Sequence, residues 1–180
     1  MSLRIHGRRA ISSPKGLHTR PTGWRIRQAL FDRAVAVEDA AWLDVCCGVG
    51  TIGAEALGRG ARLVVGIDAS KQAAALTRRN WEKVKHETQE IRVVTAHAAT
   101  AIRRLRDRFD VVYLDPPYES DVYEAVLPLL ADVLAPGGQV FVEHDKRRLF
   151  PDTVDGLHIV ERRTYGDTTL SVYAAADRRV

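Results

Sequence analysis

From residue 41 onward the chain alternates short apolar runs with stretches of helical period, which predicts a mostly parallel sheet covered on both faces. Residues 41–46 predict the first strand, and 51–58 a short helix closed by Gly60. Residues 62–68 predict the second strand. Ser70 then caps a helix running to about Lys85, with Ala74, Leu76 and Trp81 among its apolar positions. A third strand is expected over 91–96, a helix over 98–106 and a fourth strand over 110–115. Residues 121–134 read as a helix in which Pro128 predicts a kink or a break. Pro136-Gly137-Gly138 is a turn into a fifth strand at 139–143.

The rhythm changes at the C-terminal end. Residues 157–164 and 169–175 alternate without a helix between them, and Gly166-Asp167 sits at the turn, which predicts a closing antiparallel hairpin. Before residue 41, residues 3–12 are basic and extended in character. Pro14-Lys15-Gly16 reads as a turn, and a helix is expected to begin near Thr22 with Ile26, Leu30 and Phe31 on one face. No internal repeat is visible.

Length and composition fit one globular domain with a small appendage: 180 residues, 46% of them hydrophobic. Its most apolar runs, such as 63–67 and 111–114, fall far short of the ~20 residues that span a bilayer. The start Met1-Ser2-Leu3-Arg4 carries no apolar run after its basic residue, so no secretory signal is expected. The only two cysteines, Cys46 and Cys47, are adjacent and poorly placed to bridge two segments. They point to a reducing cytoplasm.

Charge divides the chain. Residues 1–33 hold eight Arg or Lys (Arg4, Arg8, Arg9, Lys15, Arg20, Arg25, Arg27, Arg33) against Asp32, a balance of +7. The other 147 residues hold 19 basic and 22 acidic side chains, a balance of −3. A basic extension on a mildly acidic domain is the footprint of a polyanion binder, although a solvated tail gives the same count. The expected division is therefore 1–35 as a basic, polyanion-binding arm and helix, and 36–180 as the main α/β domain.

Two motifs carry chemistry. Gly48-Val49-Gly50-Thr51-Ile52-Gly53 is a GxGxxG loop directly after a strand and before a helix, and Asp68 ends the next strand. Such glycines let a backbone turn tightly and approach a nucleoside, while the acid accepts ribose hydroxyls. Asp44 stands four residues before Gly48, where a carboxylate holds a cationic amino-acid end and repels a pyrophosphate. That favours S-adenosylmethionine over a dinucleotide.

The second motif, Asp115-Pro116-Pro117-Tyr118, falls at the tip of the fourth strand. An exocyclic base amine is a poor nucleophile because its lone pair is delocalised into the ring. Acceptors on its N–H groups free that pair, and Asp115 Oδ and the Pro116 carbonyl supply them on a backbone stiffened by two prolines. Tyr118 offers a face for a displaced base. Asp115, Pro116 and Tyr118 are thus the expected catalytic residues.

With Arg20-Pro21-Thr22, Arg25-Ile26-Arg27-Gln28-Ala29-Leu30-Phe31, Leu43-Asp44 and Tyr165-Gly166-Asp167-Thr168, these segments resemble the RsmD-type family, bacterial methyltransferases that modify a guanine N2 of 16S ribosomal RNA. The resemblance runs from about Arg4 to Tyr173. It implies a Rossmann-like class I methyltransferase, α/β, with a seven-stranded mostly parallel sheet whose last strand is antiparallel. It also implies S-adenosylmethionine held by Asp44, Gly48, Gly50, Gly53, Asp68 and His97, the last standing where such enzymes often carry Asp or Asn. The implied partner is 16S rRNA within a partly or fully assembled small subunit. Arg4, Arg8, Arg9, Arg20, Thr22, Arg25 and Tyr118 would hold it. No metal and no membrane take part, and a monomer is expected.

Three other readings stay open on the residues alone: a DNA adenine-N6 methyltransferase, an NAD-dependent oxidoreductase and a non-catalytic RNA-binding protein. Cys46 and Cys47 read as small packing residues of the loop rather than nucleophiles. Arg103, Arg104, Arg106 and Arg108 read as a solvated face, and Arg162, Arg163 and Tyr165 as surface strand or RNA contact.

Overall fold

The computed structural model describes residues 2–8, 10–13 and 23–175, without the side chains of Ser2 and Arg8. The turn expected at Pro14-Lys15-Gly16 and the helix start at Thr22 lie outside the described residues. In chain order the elements are β1 (Ser2–Arg4), β2 (Ala10–Ser12), α1 (Trp24–Arg33), β3 (Ala41–Val45), α2 (Thr51–Gly58), β4 (Leu63–Asp68) and α3 (Lys71–Val84). They continue with β5 (Glu90–Thr95), α4 (Ala98–Ile102), β6 (Phe109–Leu114), α5 (Val122–Val126), β7 (Leu134–Asp145), β8 (Thr153–Val154), β9 (Leu157–Tyr165) and β10 (Thr168–Ala175).

The main sheet has the order β5-β4-β3-β6-β7-β10-β9-β8, and β1 with β2 forms a separate ribbon. Strands β3 to β7 pair in parallel. β10 is antiparallel to both β7 and β9, so it is the reversed strand the sequence leads one to expect. The sheet holds eight strands rather than seven, because Thr153 and Val154 pair with His158 and Leu157 to add a two-residue edge. Two residues are too few for hydrophobic alternation to show.

Parallel strands here are apolar on both faces. β3 is buried along its whole length, and β4 from Leu63 to Ile67. One core layer joins Leu43, Val65, Val112 and Val142 to Tyr123 and Leu130. The opposite layer joins Trp42, Val64, Trp81 and Phe141 to Leu30 and Phe31 of α1 and to Ile5 and Ile11 of the N-terminal segment. Each fully buried Leu or Ile contributes about 1.5–3 kcal/mol, so Ile5 and Ile11 tie β1 and β2 to the domain. Among the described residues no helix is long and apolar enough to cross a membrane.

Local chemistry sets the helix ends. Ser70 Oγ accepts the Ala73 N–H at 3.2 Å and starts α3. Pro128 ends α5 as expected: the α-helix stops at Val126 and a 3-10 helix covers Leu127–Val133. α4 stops at Ile102 rather than 106, because Arg104 and Leu105 bond to carbonyls three residues back and tighten the turn before Phe109 enters β6. β7 starts at Leu134 rather than 139 and runs through the Pro136-Gly137-Gly138 turn. A Cβ at Gly138 would stand 2.8 Å from the Phe109 carbonyl oxygen, so the turn lies directly against β6.

Candidate active site

β3, β4 and β5 are laid down outward in one direction, and the chain then returns to place β6 on the other side of β3. The carboxyl ends of β3 and β6 therefore flank a topological switch point, where α/β sheets open a crevice. Backbone bonds hold the tips in a row: Ala96 N–H to Asp68 O at 3.1 Å, Cys47 N–H to Ile67 O at 3.0 Å, and Asp115 N–H to Val45 O at 3.4 Å. Read across the sheet, the row is His97, Asp68, the glycine loop and Asp115.

Within the loop Cys46, Gly48 and Gly50 all have positive φ, 64°, 57° and 78°. For Cys46 that is a strained conformation, of the kind that concentrates at functional turns. Asp68 fixes the loop from β4: its Oδ2 accepts the Gly48 N–H at 2.8 Å and its Oδ1 the Ser70 N–H at 2.8 Å. Asp44 is buried, and its Oδ2 accepts the Gly53 N–H at 3.1 Å. Burial raises the Asp44 pKa to about 7, opposed by the Gly53 bond and helped by the charge of Asp68. The Cys46 thiol is pushed up to about 12 by burial and then by Asp68, Asp115 and Asp44 in turn. Asp44 and Asp68 both bond to the loop backbone, and with Asp115 they raise the Cys46 thiol; negative charge gathered near the loop favours a cationic ligand and opposes a pyrophosphate. The cysteines themselves are kept as thiols, not nucleophiles.

The loop's second glycines answer to a side chain that periodicity had marked only as apolar. Trp81 of α3 lies against Gly50, Gly53 and Gly66; a Cβ at Gly53 would overlap its ring, and one at Gly66 would stand 2.6 Å from it. Trp81 Nε1–H also donates to the Gly50 carbonyl at 2.8 Å, and the Thr77 hydroxyl to the Gly48 carbonyl at 2.8 Å. Thr77, Asn80 and Trp81 share the face of α3 that holds the loop. Polar residues at core-facing helical positions are the signal that could have revealed them.

On the β6 side Asp115 is half-buried, Pro116 buried and Tyr118 half-buried. The Tyr123 hydroxyl stands 2.8 Å from the Glu143 carbonyl and 3.3 Å from that of Pro116. The Tyr118 hydroxyl meets Thr168 Oγ1 at 2.9 Å, and its carbonyl accepts from Arg148 Nη1 at 2.7 Å. Arg148 also stacks 4.3 Å over the Tyr123 ring and pairs with Glu124 at 2.5 Å. Tyr123 and Arg148 escaped the motif reading because they come from separate segments, and Thr168 was quoted in its motif without a role at the site.

His97 is exposed at the start of α4 and follows Ala96, whose N–H bonds the Asp68 carbonyl. Arg4 and Arg25 are exposed too, while Arg27 is drawn to Glu55 at 3.6 Å and Arg33 to Glu161 at 3.3 Å. Arg9, Arg20, Thr22 and the side chain of Arg8 lie outside the described residues.

A parallel sheet with a glycine loop and a proline pair at its switch point has the fold of class I methyltransferases. Of solved structures, yhhF of Escherichia coli, classed as a methyltransferase, matches at a TM-score of 0.84 and 27% identity over 99% of this chain and 100% of its own. The family model described as Conserved hypothetical protein 95 matches residues 3–174, and the chain belongs to that family. Its relatives include YlbH of Bacillus subtilis, named for rRNA methyl transfer, 30% identical over 171 residues and 92% of each chain. Ribosomal RNA small subunit methyltransferase D of Haemophilus influenzae is 27% identical over 86% of this chain and 82% of its own.

Proposed function

We propose that the protein moves a methyl group from S-adenosylmethionine to the exocyclic N2 amine of a guanine in 16S ribosomal RNA. The observation that carries the reading is the glycine loop, bonded to the carboxylates of Asp44 and Asp68, with the Asp115–Tyr118 segment held next to it across the switch point. Family membership and the names of the relatives support the ribosomal substrate.

Bound S-adenosylmethionine supplies an electrophilic methyl on a sulfonium. Asp44 faces its ammonium end, Gly48 shapes the loop beneath it, and Gly50 and Gly53 let that loop close on Trp81. Asp68 takes the ribose hydroxyls, and His97 borders the adenine. On the substrate side Asp115 Oδ and the Pro116 carbonyl accept the two N–H groups of the amine, and Tyr118 stacks on the displaced guanine. The amine lone pair forms the new N–C bond, the C–S pair stays on sulfur, and the amine then gives up one proton to Asp115 or water. Direct displacement asks for no metal and no covalent enzyme intermediate.

Residues 1–35 serve as the RNA-binding extension, with Arg4, Arg8, Arg9, Arg20, Thr22 and Arg25 on the phosphates, and 36–180 as the methyltransferase domain. The protein works as a monomer in the cytoplasm on a partly or fully assembled small subunit. The test is transfer of labelled methyl from S-adenosylmethionine to small subunits from cells lacking the gene, beside naked 16S rRNA and duplex DNA. Label in the ribosomal RNA is the expected result, and label only in DNA overturns the assignment.

A further inference from the structure

Asn80 lies in the middle of α3 with no exposed surface, and its amide is shared between two segments. Its Oδ1 accepts the Ser12 N–H at 3.0 Å. Its Nδ2 donates to the Ser12 carbonyl at 3.0 Å and to the Val49 carbonyl at 2.8 Å. Both backbone polar groups of Ser12 and one carbonyl of the glycine loop thus meet on one side chain. Thr77 and Trp81 hold the carbonyls on either side, Gly48 and Gly50. Of these three side chains, it is Asn80 that also binds the N-terminal segment, through Ser12.

A second tie runs parallel to it. Glu55 of α2, which begins directly after the loop, is buried; it accepts the His6 N–H at 3.0 Å and pairs with Arg27 at 3.6 Å. The N-terminal segment is therefore fastened to both helices that frame the cofactor loop, and through Asn80 to the loop itself. A planar amide with both its N–H groups engaged does not follow one partner without moving against the other.

We propose that Asn80 is a positioning residue that couples the N-terminal segment to the cofactor loop, so that ribosomal RNA and cofactor bind cooperatively. The inference rests on the reading of that segment as RNA-binding and of the loop as the cofactor site. A cofactor that settles the Val49 carbonyl settles the Asn80 amide and, with it, Ser12. RNA then meets a segment already in register and loses less conformational freedom on binding. Linkage makes the effect reciprocal: RNA raises cofactor affinity by the same factor.

The experiment is equilibrium binding of S-adenosylhomocysteine to the full chain, alone and with saturating small ribosomal subunits. The wild type should bind it at least about fivefold more tightly with subunits present. Two variants cut the link from opposite ends. Asn80→Ala removes the amide, and Ser12→Pro removes the N–H that Asn80 Oδ1 accepts while leaving every side chain of α3 and the loop in place. In each the ratio should fall to about one; Ser12→Pro should bind S-adenosylhomocysteine alone within about threefold of wild type, while Asn80→Ala, which also releases the Val49 carbonyl, is read by its ratio alone. If Asn80→Ala fails to fold, Ser12→Pro still decides the matter. A wild-type ratio of one, or a ratio unchanged in the folded variants, overturns the coupling alone. Loss of all binding of S-adenosylhomocysteine or of subunits to the wild type overturns the methyltransferase reading, and the coupling with it.

Discussion

The Tyr118 hydroxyl lies 2.9 Å from Thr168 Oγ1, so the proline segment at the tip of β6 and the Tyr165–Thr168 turn between β9 and β10 meet in one hydrogen bond. Those segments stand 50 residues apart in the chain, and the bond fixes the ring on which a guanine would stack. Thr168→Val keeps the shape and removes the hydroxyl. Steady-state kinetics should show a turnover about tenfold lower, equal to about 1.4 kcal/mol of barrier, with unfolding temperature little changed.

Trp81 fills the space a side chain at Gly53 would need. Gly53→Ala must push the ring or the loop aside, an overpacking cost of about 1–3 kcal/mol. Denaturant unfolding should show that loss. Calorimetry should show weaker S-adenosylhomocysteine binding, since the displaced loop is the one that holds Gly48. Gly53→Ala with Trp81→Phe should recover part of both.

Asp44 gives the site a pH dependence whose sign follows from its raised pKa, about 7 in the folded protein against 3.8 for the free group. The folded state binds the proton more tightly than the unfolded chain. The Asp44 contribution to stability is thus present below pH ~4 and lost as pH rises through ~7. Ligand binding runs the other way: only the carboxylate pairs with an ammonium, so S-adenosylhomocysteine affinity should rise between pH 6 and 8 with proton release. Asp44→Asn should flatten both curves. Calorimetry in buffers of different ionisation enthalpy counts the protons.

The parallel strands, the glycine loop and the reversed β10 were legible because each depends on local pattern: apolar runs, glycine spacing and an alternating tail. What stayed hidden joins distant segments. Trp81 reads as one more apolar helix position until Gly50, Gly53 and Gly66 are seen around it. Asn80 reads as a polar break in the apolar face of α3, though it is fully buried and bonded to Ser12 and Val49. Even the basic count misleads in part, because Arg27 and Arg33 are engaged with Glu55 and Glu161. β8 was missed because two residues carry no period.

Arg4 and Arg25 remain exposed, and they are the described arginines of the extension to place on phosphates. Replacing both with alanine should lower the slope of log affinity against log salt by about 1.4–1.8, as two lost phosphate contacts require. Filter binding of small subunits across a salt series measures it, and S-adenosylhomocysteine affinity without RNA should stay constant.

The central claim is that Asp115 and Pro116 present acceptors to a guanine amine. Nucleoside mass spectrometry of small-subunit RNA after incubation with the protein and S-adenosylmethionine tests it most directly, with wild type and Asp115→Ala side by side. Wild type should yield N2-methylguanosine at one position. Asp115→Ala should yield none, while its S-adenosylhomocysteine affinity stays within about threefold, a difference under 0.7 kcal/mol. A methyl group on another atom of the RNA, or full activity without the Asp115 carboxylate, would contradict the account.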